Sequence, residues 1–211
     1  MALEAQESNQ TPEPDLIFAK ADLQDVIPHD NDPVVISVVT VGRKVHCVLV
    51  DQGSLSDVMF WLTFNKLQLS PDQLRPYDGC LYGFTGDQVK VCGHVELRTT
   101  FTAGAASRTA NIRYLVVNSP SAYNILLGIP VLNRIGAIAS SRHMKMTLPS
   151  LEGTMITMKS DQKEAKRCYE NNLKTKRGVY AITTQPPREE GVTCVEIAQE
   201  RRPELAQEVL E

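Results

Sequence analysis

From residue 34 onward the chain is a succession of short apolar runs cut by glycine and polar turns. Val34-Val35-Ile36-Ser37-Val38-Val39-Thr40-Val41 is dominated by β-branched residues, Gly42-Arg43 interrupts it, and Lys44 to Val50 is a second run. β-Branched side chains suit a pleated surface, so the two runs predict a β-hairpin. Val48-Leu49-Val50 does not alternate, which predicts a strand covered on both faces. The run stops at Asp51-Gln52-Gly53-Ser54. Beyond it, Val58, Met59, Leu62 and Leu67 recur at helical spacing, and Ser54 with Asp57 three residues on has the form of a capping box. A helix over 56–67 is therefore predicted.

Later segments read mainly as strands. Leu81-Tyr82 and Val89 to Phe101 flank Gly83-Phe84-Thr85-Gly86-Asp87, which has the composition of a hairpin tip. Arg113 to Val117 and Ile125-Leu126-Leu127-Gly128 are further apolar runs. Pro130 to Ile135 predicts a short helix with proline in its first turn, closed by Gly136. Ala137 to Ser140 and Met144 to Leu148 complete a set of about seven to nine short strands with two short helices, the pattern of a closed or sandwiched all-β domain. Gln162 to Lys174 predicts a helix outside that domain. No internal repeat is present.

Composition adds boundaries. The chain has 211 residues, 42% of them apolar and 22% charged, as in an ordinary globular protein. The net charge is −3, which argues against a nucleic-acid binder. No stretch has the length of apolar residues that a membrane span needs, and the first residues lack the pattern of a secretory signal. An intracellular, cytoplasmic location is expected, with reduced cysteines. Charge divides the chain into an acidic segment 1–32, expected to be mostly disordered apart from a docking patch at Leu16-Ile17-Phe18, a mildly basic segment 33–158 that carries the domain, and a charge-balanced extension 159–211. The five cysteines, Cys47, Cys80, Cys92, Cys168 and Cys194, are scattered and odd in number. Cys92-Gly93-His94 offers two ligands where a structural zinc needs four, so no metal and no cofactor is expected.

One constellation carries chemistry. The apolar strand ending at Val50 runs straight into an acid, Asp51, and Gly53 two residues later permits a tight turn that would present the carboxylate. An ionised acid at the end of a buried strand is costly without a partner. The plain alternative is a turn or capping acid before the helix.

The order of acidic turn, glycine-flanked hairpin and apolar-apolar-glycine resembles the retroviral-type aspartic proteases. Pro28-His29-Asp30, Leu49 to Asp57, Gly83-Phe84-Thr85-Gly86-Asp87, Ser121 to Pro130, His143-Met144-Lys145-Met146 and Asp161 to Tyr169 together resemble the protease segment of plant Ty3/gypsy-type retrotransposon polyproteins, over roughly residues 27 to 175. The resemblance implies a retropepsin-like closed β-barrel with two short helices and flexible extensions, the tail leading toward a reverse transcriptase. It implies an aspartic endopeptidase with Asp51 as the catalytic residue, Gln52, Gly53 and Ser54 as the active-site loop, Gly83, Phe84, Thr85 and Gly86 as a flap over an extended peptide, and Ile125, Leu126, Leu127 and Gly128 packed beneath the acidic turn. The chain has a single Asp-x-Gly, so the second carboxylate would come from another copy in a two-fold homodimer. The substrate would be the element's own polyprotein, with no membrane and no nucleic acid as direct partner.

Gln52 departs from the Ser or Thr usual after the acid, and Ile129 from a residue that is often polar or basic in the retroviral enzymes. An inert dimerising or peptide-binding module therefore stays open beside the enzyme. His46 and His94 read as surface or satisfied strand residues, Trp61 as core, and Cys47 and Cys92 as small apolar fillers.

Overall fold

A computed structural model describes residues 17–82 and 88–177. β1 (Val35–Thr40) and β2 (Arg43–Val50) form the predicted hairpin, with Thr40 opposite Arg43 across the two-residue turn Val41-Gly42. Both turn residues have positive φ, 52° and 67°, a geometry whose twist matches that of the flanking strands. Gly42 adopts it freely, whereas Val41 is a β-branched residue held there by the hairpin on either side.

The remaining elements follow as β3 (Val58–Phe60), α1 (Trp61–Lys66), β4 (Cys80–Tyr82), β5 (Gln88–Ala103), β6 (Ala106–Val117), β7 (Ile125–Leu127), α2 (Ile129–Arg134), β8 (Ile138–Ser140), β9 (Lys145–Pro149), β10 (Met155–Lys159) and α3 (Gln162–Arg177). Six strands hydrogen-bond in the order β1-β2-β7-β3-β6-β5. β1 meets β5 again at Val39–Thr100 and Thr40–Thr99, which closes the barrel. β4 hangs on the far side of β5, and β8, β9 and β10 form a separate three-stranded sheet. Closure removes the exposed sheet edges that invite mispairing.

The barrel interior is one apolar cluster in which Met59, Phe64, Phe101, Tyr114, Ile125 and Leu127 are fully buried. The Tyr114 hydroxyl is the polar atom that needs a partner there, and it meets Thr99 Oγ1 at 2.9 Å. Burial pushes the Tyr114 phenol well above its usual range. β2 runs between β1 and β7 with Val48 and Val50 buried and Leu49 half-buried. That is the two-sided coverage its unbroken apolar run predicts.

Three expectations change. Residues 56–67 are not one helix: Val58–Phe60 is a strand, and α1 starts only at Trp61. β3 fits between β6, to which it is parallel, and β7, to which it is antiparallel. The ladder to distant strands overrides a spacing that would satisfy either structure. Ser54 and Asp57 accordingly make no helix cap; α1 is capped by Phe60 with no side-chain hydrogen bond. β10 also goes beyond the strands expected. It pairs with β9 from Met155–Pro149 to Lys159–Lys145, burying Ile156 and Met158 in strict alternation.

The cysteines differ as well. Cys47 on β2 and Cys168 on α3 form a disulfide across 121 residues, where free thiols were expected. Together with Val35, Tyr123 and Ala165 they make a second apolar cluster that fastens α3 to the barrel. At the other end, residues 17–32 lie along the small sheet. The Phe18 ring stacks on His143 with centroids 5.2 Å apart, Lys145 Nζ meets Asp22 Oδ1 at 2.7 Å and Lys159 Nζ meets Asp25 Oδ2 at 2.6 Å. The outer parts of the two predicted extensions, 1–16 and 178–211, lie outside the described residues.

Candidate active site

Asp51 is the first residue past β2, and its geometry follows from the turn it starts. Its backbone N–H donates to Leu127 O at 2.9 Å, which extends the β2–β7 ladder by one bond. Its carboxylate Oδ1 accepts from Gly53 N–H at 2.9 Å. A Cβ at position 53 would stand 3.3 Å from that same oxygen, a tight contact that the carboxylate would have to yield to by a few tenths of an ångström. Asp51 itself is half-exposed. Ser54 N–H returns to Asp51 O at 3.3 Å, and the Ser54 hydroxyl donates to Ser56 O at 3.0 Å. Leu55, by contrast, is 81% exposed.

β7 is the floor beneath this turn. It runs parallel to β2 with Val48 opposite Ile125, Leu49 opposite Leu126 and Val50 opposite Leu127. Parallel register carries both chains out of the barrel at the same end, so Gly128 leaves β7 beside Asp51. Ile125 and Leu127 are fully buried, and Leu126 is half-buried on the other side of the strand. Gly128 is pressed against the 54–56 segment. A Cβ there would collide with Ser56 O and lie 2.7 Å from Ser54 O. Ile129 N–H donates to Ser54 O at 2.8 Å. The apolar-apolar-glycine sequence is thus two anchors followed by the one residue that allows the loops to touch.

Asp57 completes the contact, and sequence reasoning did not foresee it. Only 6% exposed, it accepts Gly128 N–H on Oδ1 at 2.8 Å, while its backbone carbonyl accepts Leu115 N–H at 2.8 Å from β6. Burial pushes its carboxyl up to about 6, against the pull of the Gly128 and Val131 N–H groups and of Arg134. The signal available in the sequence is an acid immediately before the apolar Val58-Met59-Phe60 run, whose spacing from Ser54 has instead the form of a helix cap.

The other expected residues fall as follows. Gln52 is exposed and donates its side-chain amide to Ala139 O on β8 at 3.2 Å. Gly83, Phe84, Thr85 and Gly86 lie outside the described residues, but the strands that flank them pair as a hairpin, Cys80–Lys90, Leu81–Val89 and Tyr82–Gln88. His46 shares a hydrogen bond with Ser37 Oγ at 3.0 Å. His94 lies near Arg113, and burial first and that guanidinium second lower its pKa. Trp61 is buried and stacks on Phe64. Cys92 is buried in the core. Among the described residues, the potential metal-binding groups that converge are Cys47, Glu164 and Cys168, at the foot of α3; two of them are already joined as the disulfide.

The arrangement can present one carboxylate, oriented by a backbone N–H, at the rim of a closed barrel. Among the described residues of the loop, Asp57 is the other acid, and it is turned inward to Gly128.

No protein-family model matches the chain, and neither does any curated protein. Solved structures do. The retroviral protease-like domain of Ddi1 from Leishmania major is similar at 13% identity and a TM-score of 0.48, covering 62% of this chain and 95% of that one. EIAV protease in complex with the inhibitor HBY-793 is similar at 22% identity and a TM-score of 0.42, covering 55% and 99%. A retropepsin-like aspartic protease from Rickettsia conorii is similar at 16% identity and a TM-score of 0.39, covering 59% and 80%. The fold is mostly β, a closed six-stranded barrel with few short helices.

Proposed function

We propose that this chain supplies half of an aspartic endopeptidase. Two copies pair about a two-fold axis, and Asp51 of each meets the other there. Two carboxylates a few ångströms apart share one proton, because two like charges at that distance are unfavourable together. The ionised member takes a proton from the attacking water, and the protonated member donates to the scissile carbonyl oxygen. Assistance of this kind is worth about 10²–10⁴-fold. The hairpin carrying Gly83 to Gly86 closes over an extended peptide that binds by strand addition. Residues 33–158 form the protease domain of a retrotransposon polyprotein, its own polyprotein being the substrate and the cytoplasm the place of action.

The observation that carries this reading is the joining of the Asp51 turn to the end of β7, from Asp51 N–H to Leu127 O and from Ile129 N–H to Ser54 O. A half-exposed carboxylate sits where two parallel barrel strands end together, in a turn braced by Leu127 O and Gly53 N–H. The test is hydrolysis of a precursor polypeptide near pH 5 with and without pepstatin, beside sedimentation of the same sample. Cleavage that pepstatin blocks, that Asp51→Asn abolishes and that scales with dimer supports the reading. Dimer without cleavage favours the second reading, an inert retropepsin-like module. That alternative has one observation of its own, the Gln52 amide held by Ala139 O within its own chain.

A further inference from the structure

Cys47 and Cys168 meet between β2 and α3, and Glu164 stands one helical turn before Cys168 on the same face of α3. Cys47 Sγ lies 2.8 Å from Glu164 Oε1, Cys168 Sγ lies 3.9 Å from the same oxygen, and the three ligand atoms are all within 4.8 Å of one another. Both cysteines are buried, while Glu164 is half-buried and keeps one edge in solvent. The backbone is bent to aim Cys47 there. Between the pairs Ile36–Val48 and Val38–Val45, His46 and Cys47 of β2 stand against Ser37 alone, which is a β-bulge. Plain alternation from Val45 would turn Cys47 into the barrel; the bulge turns it outward to α3 and returns Val48 to the core. Cys47 has a φ of 53°, uncommon for a residue with a Cβ. Asn124 fixes the bulge, donating Nδ2–H to His46 O at 2.7 Å and its backbone N–H to Cys47 O at 2.9 Å. A disulfide needs only the two sulfurs and has no S–H for a carboxylate to accept. The Glu164 carboxylate is nonetheless held against both, with Arg167 donating Nε–H to Oε2 at 2.9 Å and a terminal N–H to Oε1.

We propose that in the reduced chain Cys47, Cys168 and Glu164 form a zinc site, so that α3 is held to the barrel by a disulfide under oxidising conditions and by a metal ion under reducing ones. Two thiolates and a carboxylate are a donor set that zinc takes, with water in the fourth tetrahedral position. A dithiol opens the disulfide by giving up two electrons and two protons, and leaves as its own disulfide. Zinc then displaces the two thiol protons to solvent. The sulfurs move apart to roughly 3.8 Å, the edge of a tetrahedron with bonds of about 2.3 Å, and the Cα separation of 6.6 Å accommodates that. The three negative charges of the ligands are balanced by the dication together with the Arg167 guanidinium. Arg167 also fixes the orientation of the carboxylate, as outer partners of metal ligands do. The solvent edge of Glu164 gives the ion its way in. Cys47 is 117 residues from Glu164 and 121 from Cys168, so no motif spacing in the sequence displays the set. The inference does not rest on the endopeptidase reading.

In the experiment the full chain is reduced with a phosphine, desalted without oxygen and titrated with Zn²⁺, and with Co²⁺ as its spectroscopic substitute, beside the oxidised chain. Reduced wild type is expected to take up one zinc, with a rise in melting temperature, and one cobalt, with a sulfur-to-cobalt charge-transfer band and the visible bands of a tetrahedral site. The oxidised chain should show none of these. Cys47→Ser and Cys168→Ser should each weaken binding about a hundredfold and lose about half of the charge-transfer band, whereas Glu164→Gln should weaken binding at least about tenfold and keep the band. Cys80→Ser, which removes a free thiol on β4, should bind as wild type does. Absence of metal uptake by reduced wild type overturns the proposal. So does a cobalt spectrum unchanged in both serine variants, or an affinity unchanged in Glu164→Gln. Should the serine variants fail to fold, alkylation of reduced wild type decides: zinc that slows labelling of Cys47 and Cys168 about tenfold and leaves Cys80 unaffected sustains the proposal, and equal rates with and without zinc overturn it. None of these measurements requires peptide cleavage, so failure of the endopeptidase reading appears separately, as an inactive wild type.

Discussion

Gln52 and Ala139 are joined by a 3.2 Å hydrogen bond from a side-chain amide to a backbone carbonyl. That bond ties the residue beside the candidate catalytic acid to β8, the first strand of the separate small sheet. In a chain that works as a dimer, an amide engaged within its own subunit is withdrawn from any cross-axis role. Gln52→Thr is therefore expected to lose little stability, under about 1 kcal/mol because the group is exposed, and to raise peptide hydrolysis and dimer affinity together. Parallel rate and sedimentation measurements check it; an unchanged dimer constant would clear Gln52 of interference.

Gly128 is expected to be intolerant. The Cβ of Gly128→Ala would meet backbone carbonyl oxygens of Ser54 and Ser56, and backbone cannot swing aside as a side-chain tip can. The predicted loss is about 2–4 kcal/mol in urea unfolding. Gly104→Ala and Gly153→Ala face open space and cost only the strain of a positive φ, so the three variants rank the effect of close approach against that of conformation.

The Cys47–Cys168 link closes a long loop, 121 residues in sequence. Chain-entropy reasoning assigns such a cross-link about 5 kcal/mol, and measured values commonly fall below this. Dithiothreitol, or the double substitution Cys47→Ala with Cys168→Ala, is expected to lower the melting temperature by roughly 5–10 °C. α3 should then become the most protease-sensitive of the described helices. Non-reducing electrophoresis of the purified chain tests the link directly.

The Lys145 hydrogen bond holds the Asp22 carboxyl below its ordinary value, so its contribution is present above about pH 4 and disappears as pH falls through the lowered value. Lys145 is itself buried and is left unpaired when Asp22 is neutral. Acidification below pH 4 is thus expected to release residues 17–32 from the small sheet, read as faster exchange there while the barrel stays protected. Asp22→Asn should show that release already at pH 7.

How much of this could be read from the residues depends on the range of the interaction. The β1–β2 hairpin, the two-sided burial of Val48-Leu49-Val50 and the Asp51-Gln52-Gly53 turn were all visible, because β-branching, the absence of alternation and a glycine act between near neighbours. The short helix at Ile129–Arg134 and its closure at Gly136, where φ is +58°, were visible for the same reason.

The course of Val58-Met59-Phe60 was not. Three apolar residues fit a helix face as well as a strand, and the choice came from β6 and β7, more than fifty residues downstream. Asp57 shows the same limit. Beside Ser54 it has the form of a cap, yet its partner is Gly128, 71 residues away. The meeting of Cys47 with Cys168 is likewise a consequence of α3 docking on β2. Local steric and hydrophobic preferences are written residue by residue, so the chain alone determined the β1–β2 hairpin, the short helix after β7 and where an acid is presented. Partners for buried polar groups are assigned only when distant strands come into register, since a desolvated carboxyl or thiol takes whatever donor or sulfur the closed barrel brings to it.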